Sequence, residues 1–255
     1  MIIPENGSVI AVWFSCGAAS AIATYRILQK YRDTCTIRVL NNPVIEEHED
    51  NQRFLKDIEQ WLGIKVETVI NESHKHCSAE EIWEQRRYMA GIAGAPCTML
   101  LKQEARRKWE MNNDYDYHVL GYTYEEKHRY ERFLKQRPNT IGILIDEKIT
   151  KKDCYTILEN NNIELPEIYK LGYPNANCIG CVKASSAPYW NHVRNMHPEI
   201  FKKRCELSRE LGAKLVKIND ERIFLDELPN DIKEKNLNGL DFECGIFCGM
   251  DDNNE

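Results

Sequence analysis

The sequence predicts an α/β protein with an open, mostly parallel, doubly wound sheet and a cysteine-bearing C-terminal segment. An apolar run of strand length, "SVIAVWF" (8–14), leads through a loop of small residues into a helical pattern at 20–31. Strand-like and helix-like segments then alternate, as in a parallel sheet with crossover helices. From about residue 163 the alternation gives way to loop signals and paired cysteines. We therefore predict an α/β core at 1–162 and a second part at 163–255.

Local signals place the elements of this core. Gly63 ends one helix, Ser78 and Glu81 form a capping-box start, and Pro96 precedes another helix. Two further segments, 140–145 and 150–162, complete the core. The predicted strands lie at 8–14, 35–40, 64–70 and 116–122, and the predicted helices lie at 20–31, 47–63, 78–90, 97–112 and 124–136.

The composition indicates a folded chain that works in a reducing compartment. Its 255 residues are 42% hydrophobic and 29% charged, enough to bury one substantial core. The sequence has neither a basic, apolar leader nor a run of about 20 apolar residues, so we expect a cytoplasmic protein with no membrane partner. The net charge of −6 argues against non-specific coating of a polyanion. The ten cysteines therefore favour metal binding or thiol chemistry over a disulfide framework.

The loop "SCGAAS" after the first strand is a candidate anion site. Backbone N–H groups and the positive end of a helix dipole meet at such a strand-to-helix loop, and small residues let a phosphate approach them. The hydroxyl groups of Ser15 and Ser20 are additional hydrogen-bond donors. An ordinary turn is the alternative interpretation. The candidate nucleotide-binding residues here are Ser15, Cys16, Gly17, Ala18, Ala19 and Ser20.

This loop resembles the Ser-Gly-Gly-x-Asp-Ser loop of the PP-loop ATP pyrophosphatases, in the form found in the phosphoadenosine-phosphosulfate (PAPS) reductase family. Cys16 stands at the second position and Ala19 replaces the acid. The resemblance implies an adenine nucleotide alpha-hydrolase-like fold with a nucleotide-binding core at 1–162. Because alanine cannot help to hold magnesium pyrophosphate, the loop favours a substrate that is already an activated adenylate, such as adenylyl sulfate or PAPS. Cys16, at a helix start that favours a thiolate, is interpreted as a structural residue.

Polar residues elsewhere in the core complete the predicted nucleotide site. Asn41 and Asn42 end the second strand, where an amide can bind a base edge or a ribose hydroxyl, unless Asn-Asn-Pro is simply a turn. Gly121 follows a later strand and is expected near the same crevice. Arg129, by resemblance, and then Lys102 are candidates for the anionic end of the substrate. A solvated helix face is the alternative for both cations.

Three cysteines form a candidate metal site. Cys178 and Cys181 have the C-x-x-C spacing that lets two thiolates bind one metal, and Cys97 begins a helix. The resemblance to adenylyl-sulfate reductases implies a [4Fe-4S] cluster, although Thr98 follows Cys97 where the family has a second cysteine. The fourth iron is then either open or bound by Cys244 or Cys248. Zinc, or no metal at all, remains an alternative.

The tail "FECGIFCGM" resembles the Glu-Cys-Gly-Leu/Ile-His end of sulfonucleotide reductases. The resemblance makes Cys244 the thiol that attacks the sulfate sulfur, although Phe247 stands where the family has histidine. Cys248, four residues on, is a candidate ligand or redox partner.

Three functions therefore stay open. The first is a sulfonucleotide reductase that uses a thioredoxin-like reductant. The second is an ATP- and cluster-dependent sulfurtransferase acting on tRNA or DNA, and the third is a non-catalytic nucleotide-binding protein with zinc. A homo-oligomer is compatible with each of these functions.

Overall fold

A parallel β-sheet lies at the centre of the computed structural model, which describes residues 2–91, 94–232 and 237. Within these residues the sheet has five strands in the order β3-β2-β1-β4-β5, and every neighbouring pair is parallel. The predicted α/β class is confirmed. The strands are β1 (Val9–Trp13), β2 (Thr36–Asn41), β3 (Val66–Thr68), β4 (Tyr117–Val119) and β5 (Thr140–Ile141).

The composition of β1 explains why it lies in the middle of the sheet. Its residues from Ile10 to Trp13 are all buried, because a strand covered on both faces must be apolar throughout. Ile10 pairs with Ile37 of β2 on one side and with Tyr117 of β4 on the other. The strand order reverses between β1 and β4, so the crevice for a ligand is expected beyond the carboxyl ends of these two strands.

The helices lie between and after the strands. The first crossover helix, α1, has a buried face of small and apolar residues that packs beneath the sheet. The described helices are α1 (Ala18–Tyr31), α2 (Asn51–Leu62), α3 (Ala79–Arg86), α4 (Glu104–Asn112), α5 (Lys127–Gln136), α6 (Ile143–Asp146), α7 (Lys151–Asn160), α8 (Glu167–Lys170), α9 (Ala187–Met196) and α10 (Pro198–Glu210). Short 3₁₀ turns occupy Glu72–His74, Tyr124–Glu126 and Leu225–Glu227.

Two predicted helices are shorter than expected. The helix predicted at 47–63 begins only at Asn51, because the preceding side chains bind elsewhere: Asp50 binds Arg53 and the Glu167 amide. The helix predicted at 78–90 ends at Arg86, since Arg87 adopts a left-handed conformation with φ 51°. The first of these corrections leaves Glu47 in the loop that precedes α2.

The helix predicted at 97–112 begins with a π-helical stretch, Thr98–Gln103, before α4. Two side-chain amides account for the wider turn. Asn71 donates to the Leu100 carbonyl (2.8 Å) and Asn42 donates to the Leu101 carbonyl (3.0 Å), and these carbonyls would otherwise accept from the next helical turn. The Glu104 amide donates five residues back, to Met99. Such π segments frequently occur at functional sites.

The C-terminal segment packs closely on the core. Its helices α8 to α10 precede a hairpin of β6 (Val216–Ile218) and β7 (Glu221–Ile223). Residues from both sides of the predicted 162/163 boundary share one apolar cluster, for example Trp83 and Trp190. The boundary itself stays a prediction. Among the described residues, no helix combines the length and the apolarity needed to cross a bilayer.

Candidate functional site

The loop after β1 and the end of β4 meet at the point where the strand order reverses. Gly121, just beyond β4, packs directly on the start of α1. A Cβ atom at Gly121 would lie 2.6 Å from the Ser20 nitrogen and 2.9 Å from the Ala19 carbonyl carbon. Only glycine fits so close to another backbone. The structure thus brings the predicted loop and Gly121 together.

The Ser20 hydroxyl holds the loop closed. It donates to the Gly17 carbonyl (2.9 Å) and accepts from the Ser15 amide (3.1 Å). The Ser15 hydroxyl also donates to it (3.2 Å). Ser15 is exposed and Ser20 is buried. Both predicted hydroxyl donors therefore bind within the loop, and Ser15 is the more exposed residue of the two.

The first turn of α1 presents backbone amides to this crevice. Gly17 is the N-cap residue, and the amides of a helix's first turn have no acceptor inside the helix. One of them already has a partner: the Ala18 N–H donates to the hydroxyl of Tyr169 (3.3 Å), a residue of α8. Sequence reasoning missed Tyr169, because nothing in a short apolar and acidic stretch 151 positions away signals this contact.

Cys16 is a buried structural residue of the loop. Its backbone is left-handed, with φ 56°, and the Asn41 side-chain amide donates to its sulfur (3.5 Å). Burial, and then the Glu47 charge, raises the pKa of the Cys16 thiol well above its ordinary value. The helix start was expected to favour a thiolate, but burial outweighs the helix dipole here. The thiol therefore stays protonated at neutral pH.

Alkylation tests this protonation state. At pH 8 we expect iodoacetamide to modify the half-buried Cys35 much faster than Cys16, because the thiolate is the reactive form and Cys16 is both protonated and 98% buried. Peptide mass spectrometry of the folded and the urea-unfolded chain gives the two rates. Equal rates at both cysteines in the folded chain would contradict the burial of Cys16.

The two asparagines at the end of β2 use their amide groups inside the protein. Asn41 donates to the Phe14 carbonyl (2.9 Å), and Asn42 donates to the carbonyls of Val69 (2.7 Å) and Leu101. Among the described residues, the Asn42 Oδ1 atom is buried and has no hydrogen-bond partner. The amide nitrogens of both residues are thus structural.

Lys102 lies in the π-helix and forms a buried ion pair with Glu47. The Nζ and Oε1 atoms are 3.2 Å apart, and the side chains are only 9% and 11% exposed. Both charges act on the Cys16 thiol, so the pair lies near the loop. Burial raises the pKa of Glu47, and the Lys102 charge opposes this shift. Glu47 was missed because the sequence pattern placed it in a helix.

Arg129 lies at the start of α5, on the β4 side of the crevice. Its guanidinium is 3.0 Å from the Glu126 carboxylate and stacks over the Tyr122 ring at 5.4 Å. Tyr122 directly follows Gly121. The structure thus holds Arg129 next to the residues that follow β4, with its side chain 20% exposed.

The three cysteines of the predicted metal site contact one apolar cluster. Cys178 and Cys181 are buried in it and Cys97 packs against it, while the Cys181 amide donates to the Tyr189 hydroxyl (3.0 Å). No group of three or more His, Cys, Asp or Glu within 2–91, 94–232 and 237 is arranged to hold a metal ion. The described residues thus do not form a ligand set for a [4Fe-4S] cluster or zinc, and both stay predictions. Cys244 and Cys248 lie outside the described residues.

Comparison with known proteins adds no family assignment. No model of a protein family matches the chain, and no protein of curated function matches it.

Proposed function

We propose that this chain is a PAPS reductase-like enzyme that binds an adenine sulfonucleotide and reduces its sulfur with a thiol. The observation that carries the proposal is the small-residue loop at the reversal point of a parallel sheet, with Gly121 packed on its backbone. First-turn amides and a helix dipole suit a phosphate or sulfate at this place.

The residues of the loop favour a substrate that is already activated. Ala19 offers no carboxylate to a metal-bound pyrophosphate. The loop amides would hold the phosphate of the nucleotide, and Arg129 would bind its anionic end as a bidentate donor.

The proposed reaction uses a thiol of the tail. The Cys244 thiolate attacks the sulfur of the sulfonucleotide, a sulfur–sulfur bond forms, and the sulfur–oxygen bond to the phosphate breaks. AMP or its 3′-phosphate leaves with that electron pair. A thiolate of a thioredoxin-like partner then attacks the Cys244 sulfur, which forms a disulfide and releases sulfite.

Sulfite formation tests this function. With adenylyl sulfate or PAPS and reduced thioredoxin, Cys244→Ser is expected to lose sulfite formation by at least about a thousandfold, because the attacking thiolate is gone. Its nucleotide affinity should stay within about twofold of the wild type. Cys35→Ser, a change at a half-buried cysteine without a proposed role, serves as the control. A Cys244→Ser protein that still forms sulfite at the wild-type rate would exclude the mechanism.

A second function has one observation in its favour. Glu47 is a buried acid near the loop and is a candidate replacement for the missing loop carboxylate. This arrangement favours ATP-dependent sulfur transfer to tRNA or DNA. If this second function is correct, the protein converts ATP to AMP in the presence of the nucleic acid. The Glu47→Gln variant is then expected to lose this turnover. Bound zinc with no turnover of either nucleotide would instead favour the non-catalytic alternative.

A further inference from the structure

A surface cleft of about 380 Å³ lies between α3, α10 and the loop that precedes α2. The described residues that line it come from these elements and from the C-x-x-C loop, rather than from the loop after β1. Charged side chains of α3 and α10 form much of its wall. Its apolar residues are Ile45, Ile179 and Ile200.

The cleft lies directly against the C-x-x-C loop. Ile179 is one of the two residues between the paired cysteines, and its amide donates to the Glu46 carbonyl (2.9 Å). Arg204 of α10 donates to the carbonyl of Gly180, the other residue between them (3.4 Å). The Arg204 side chain is only 3% exposed and pairs with Glu80 at 3.0 Å. A molecule bound in the cleft would therefore contact the C-x-x-C loop.

The apolar part of the cleft is accessible from the solvent. Ile45 is 66% exposed, and its amide donates to the Cys77 carbonyl (3.1 Å). The next residue, Glu46, caps α3: its carboxylate accepts from the Ser78 hydroxyl (2.8 Å) and from the Ala79 amide (2.9 Å). The backbone at Ile45 is thus fixed by bonds on either side of its exposed side chain. An occupant that covers this side chain removes apolar surface from water.

The charges around the cleft favour a cation. Four carboxylates and two cations line it, which leaves a formal charge of −2. The buried Arg204 is already paired with Glu80. Glu81 and Glu84 are both exposed and lie one turn apart on α3, so they face the same side of the helix. Lys203 is exposed as well and acts in the opposite sense.

We propose that this cleft is a docking site for a partner protein that presents a lysine or arginine beside an aliphatic side chain. The aliphatic side chain packs on Ile45, Ile179 and Ile200, and the cation binds at Glu81 and Glu84. An apolar centre with a polar rim is the usual anatomy of a protein interface, and its charges select the partner. The inference is independent of the proposed function, because it requires no nucleotide and no reaction at the loop after β1.

A short peptide serves as the probe for the partner. A capped hexapeptide of alternating lysine and leucine is titrated into the full-length chain and followed by the methyl NMR signals of isoleucine. We expect the signals of Ile45, Ile179 and Ile200 to shift with one common Kd. Ile3, which is 70% exposed and does not line the cleft, should not respond. Matched peptides of glutamate and leucine, or of lysine and serine, should bind at least about fivefold more weakly, since each lacks one of the two contacts.

Substitutions of exposed residues test the charged and the apolar contacts separately. Glu81→Gln/Glu84→Gln should weaken binding of the lysine–leucine peptide by about three- to tenfold, whereas Lys203→Gln should strengthen it by about twofold, because it removes a like charge. Ile45→Ser should weaken binding by about fivefold. Ile3→Ser, the matched change at another exposed isoleucine, should leave it unchanged. Urea unfolding checks that each variant is folded.

Several results would overturn the docking site. It is wrong if the lysine–leucine peptide shifts none of the three isoleucine signals of the cleft, or shifts that of Ile3 equally. It is also wrong if the glutamate–leucine peptide binds as tightly as the lysine–leucine peptide. Unchanged affinity in both Lys203→Gln and the double glutamine variant would show that these charges select no partner.

Discussion

Gly121→Ala is expected to weaken AMP binding by at least about tenfold and to reduce the free energy of unfolding by about 1–3 kcal/mol. The added Cβ would lie 2.6 Å from the Ser20 nitrogen and 2.9 Å from the Ser20 Cα atom. Both neighbours are backbone atoms at the start of α1, so relief requires that the loop itself moves. A shift of the first-turn amides would change the geometry in which they are proposed to hold an anion.

A second glycine supplies the control for this prediction. A Cβ atom at Gly142 would lie 2.5 Å from the Tyr130 ring, so Gly142→Ala is also expected to destabilise the protein, but by displacing a side chain and not the loop. Urea unfolding gives the stability of each variant, and calorimetry with AMP gives its affinity. Equal losses of AMP affinity in the two variants would show that Gly121 does not support the loop specifically.

Lys102→Met is expected to destabilise the protein by about 3–5 kcal/mol at pH 7, because it leaves the buried Glu47 carboxylate without its ammonium partner. The double variant Lys102→Met/Glu47→Gln should recover part of this loss, since neither charge then remains buried. As a comparison, Lys65→Met removes the cation of an exposed ion pair with Glu59 and should cost at most about 1 kcal/mol.

The loss in Lys102→Met should depend on pH. Burial already raises the pKa of Glu47 above its ordinary value of 4.5, and removal of the opposing Lys102 charge raises it further. A group whose folded-state pKa is raised stabilises the fold below its unfolded pKa and loses this contribution as the pH rises through the folded pKa. We therefore expect the difference from the wild type to be smallest near pH 4 and to grow toward pH 7. Urea unfolding at several pH values measures it, and a pH-independent difference would contradict the buried pair.

Local patterns predicted the architecture of the parallel sheet and of the loop after β1 well. The apolar run at 8–14 became β1, and the small residues after it became the loop and the start of α1. Gly121 was expected near the crevice and lies against Ser20. These features follow from the spacing of apolar residues, the length of the apolar runs and the size of the side chains. All three can be read from a short stretch of sequence. Helix starts were less predictable where a side chain binds a distant group, as Asp50 does.

The functional chemistry of the cysteines rests on the sequence alone. Cys178 and Cys181 lie in the same apolar cluster against which Cys97 packs, but the described residues do not complete a metal site. Cys244, the proposed nucleophile, lies outside those residues. Its role therefore depends on the resemblance of the tail and on the sulfite assay described above.

The sequence by itself determined the α/β class and the small-residue loop, because backbone periodicity and residue size act locally. Only the tertiary structure decided what surrounds that loop. Tyr169 reaches Ala18 from 151 positions away, and Lys102 pairs with Glu47 across 55 positions. The π-helix likewise arises because Asn42 and Asn71 bind its carbonyls from other segments. Such contacts depend on how distant segments pack, and no local pattern contains that information.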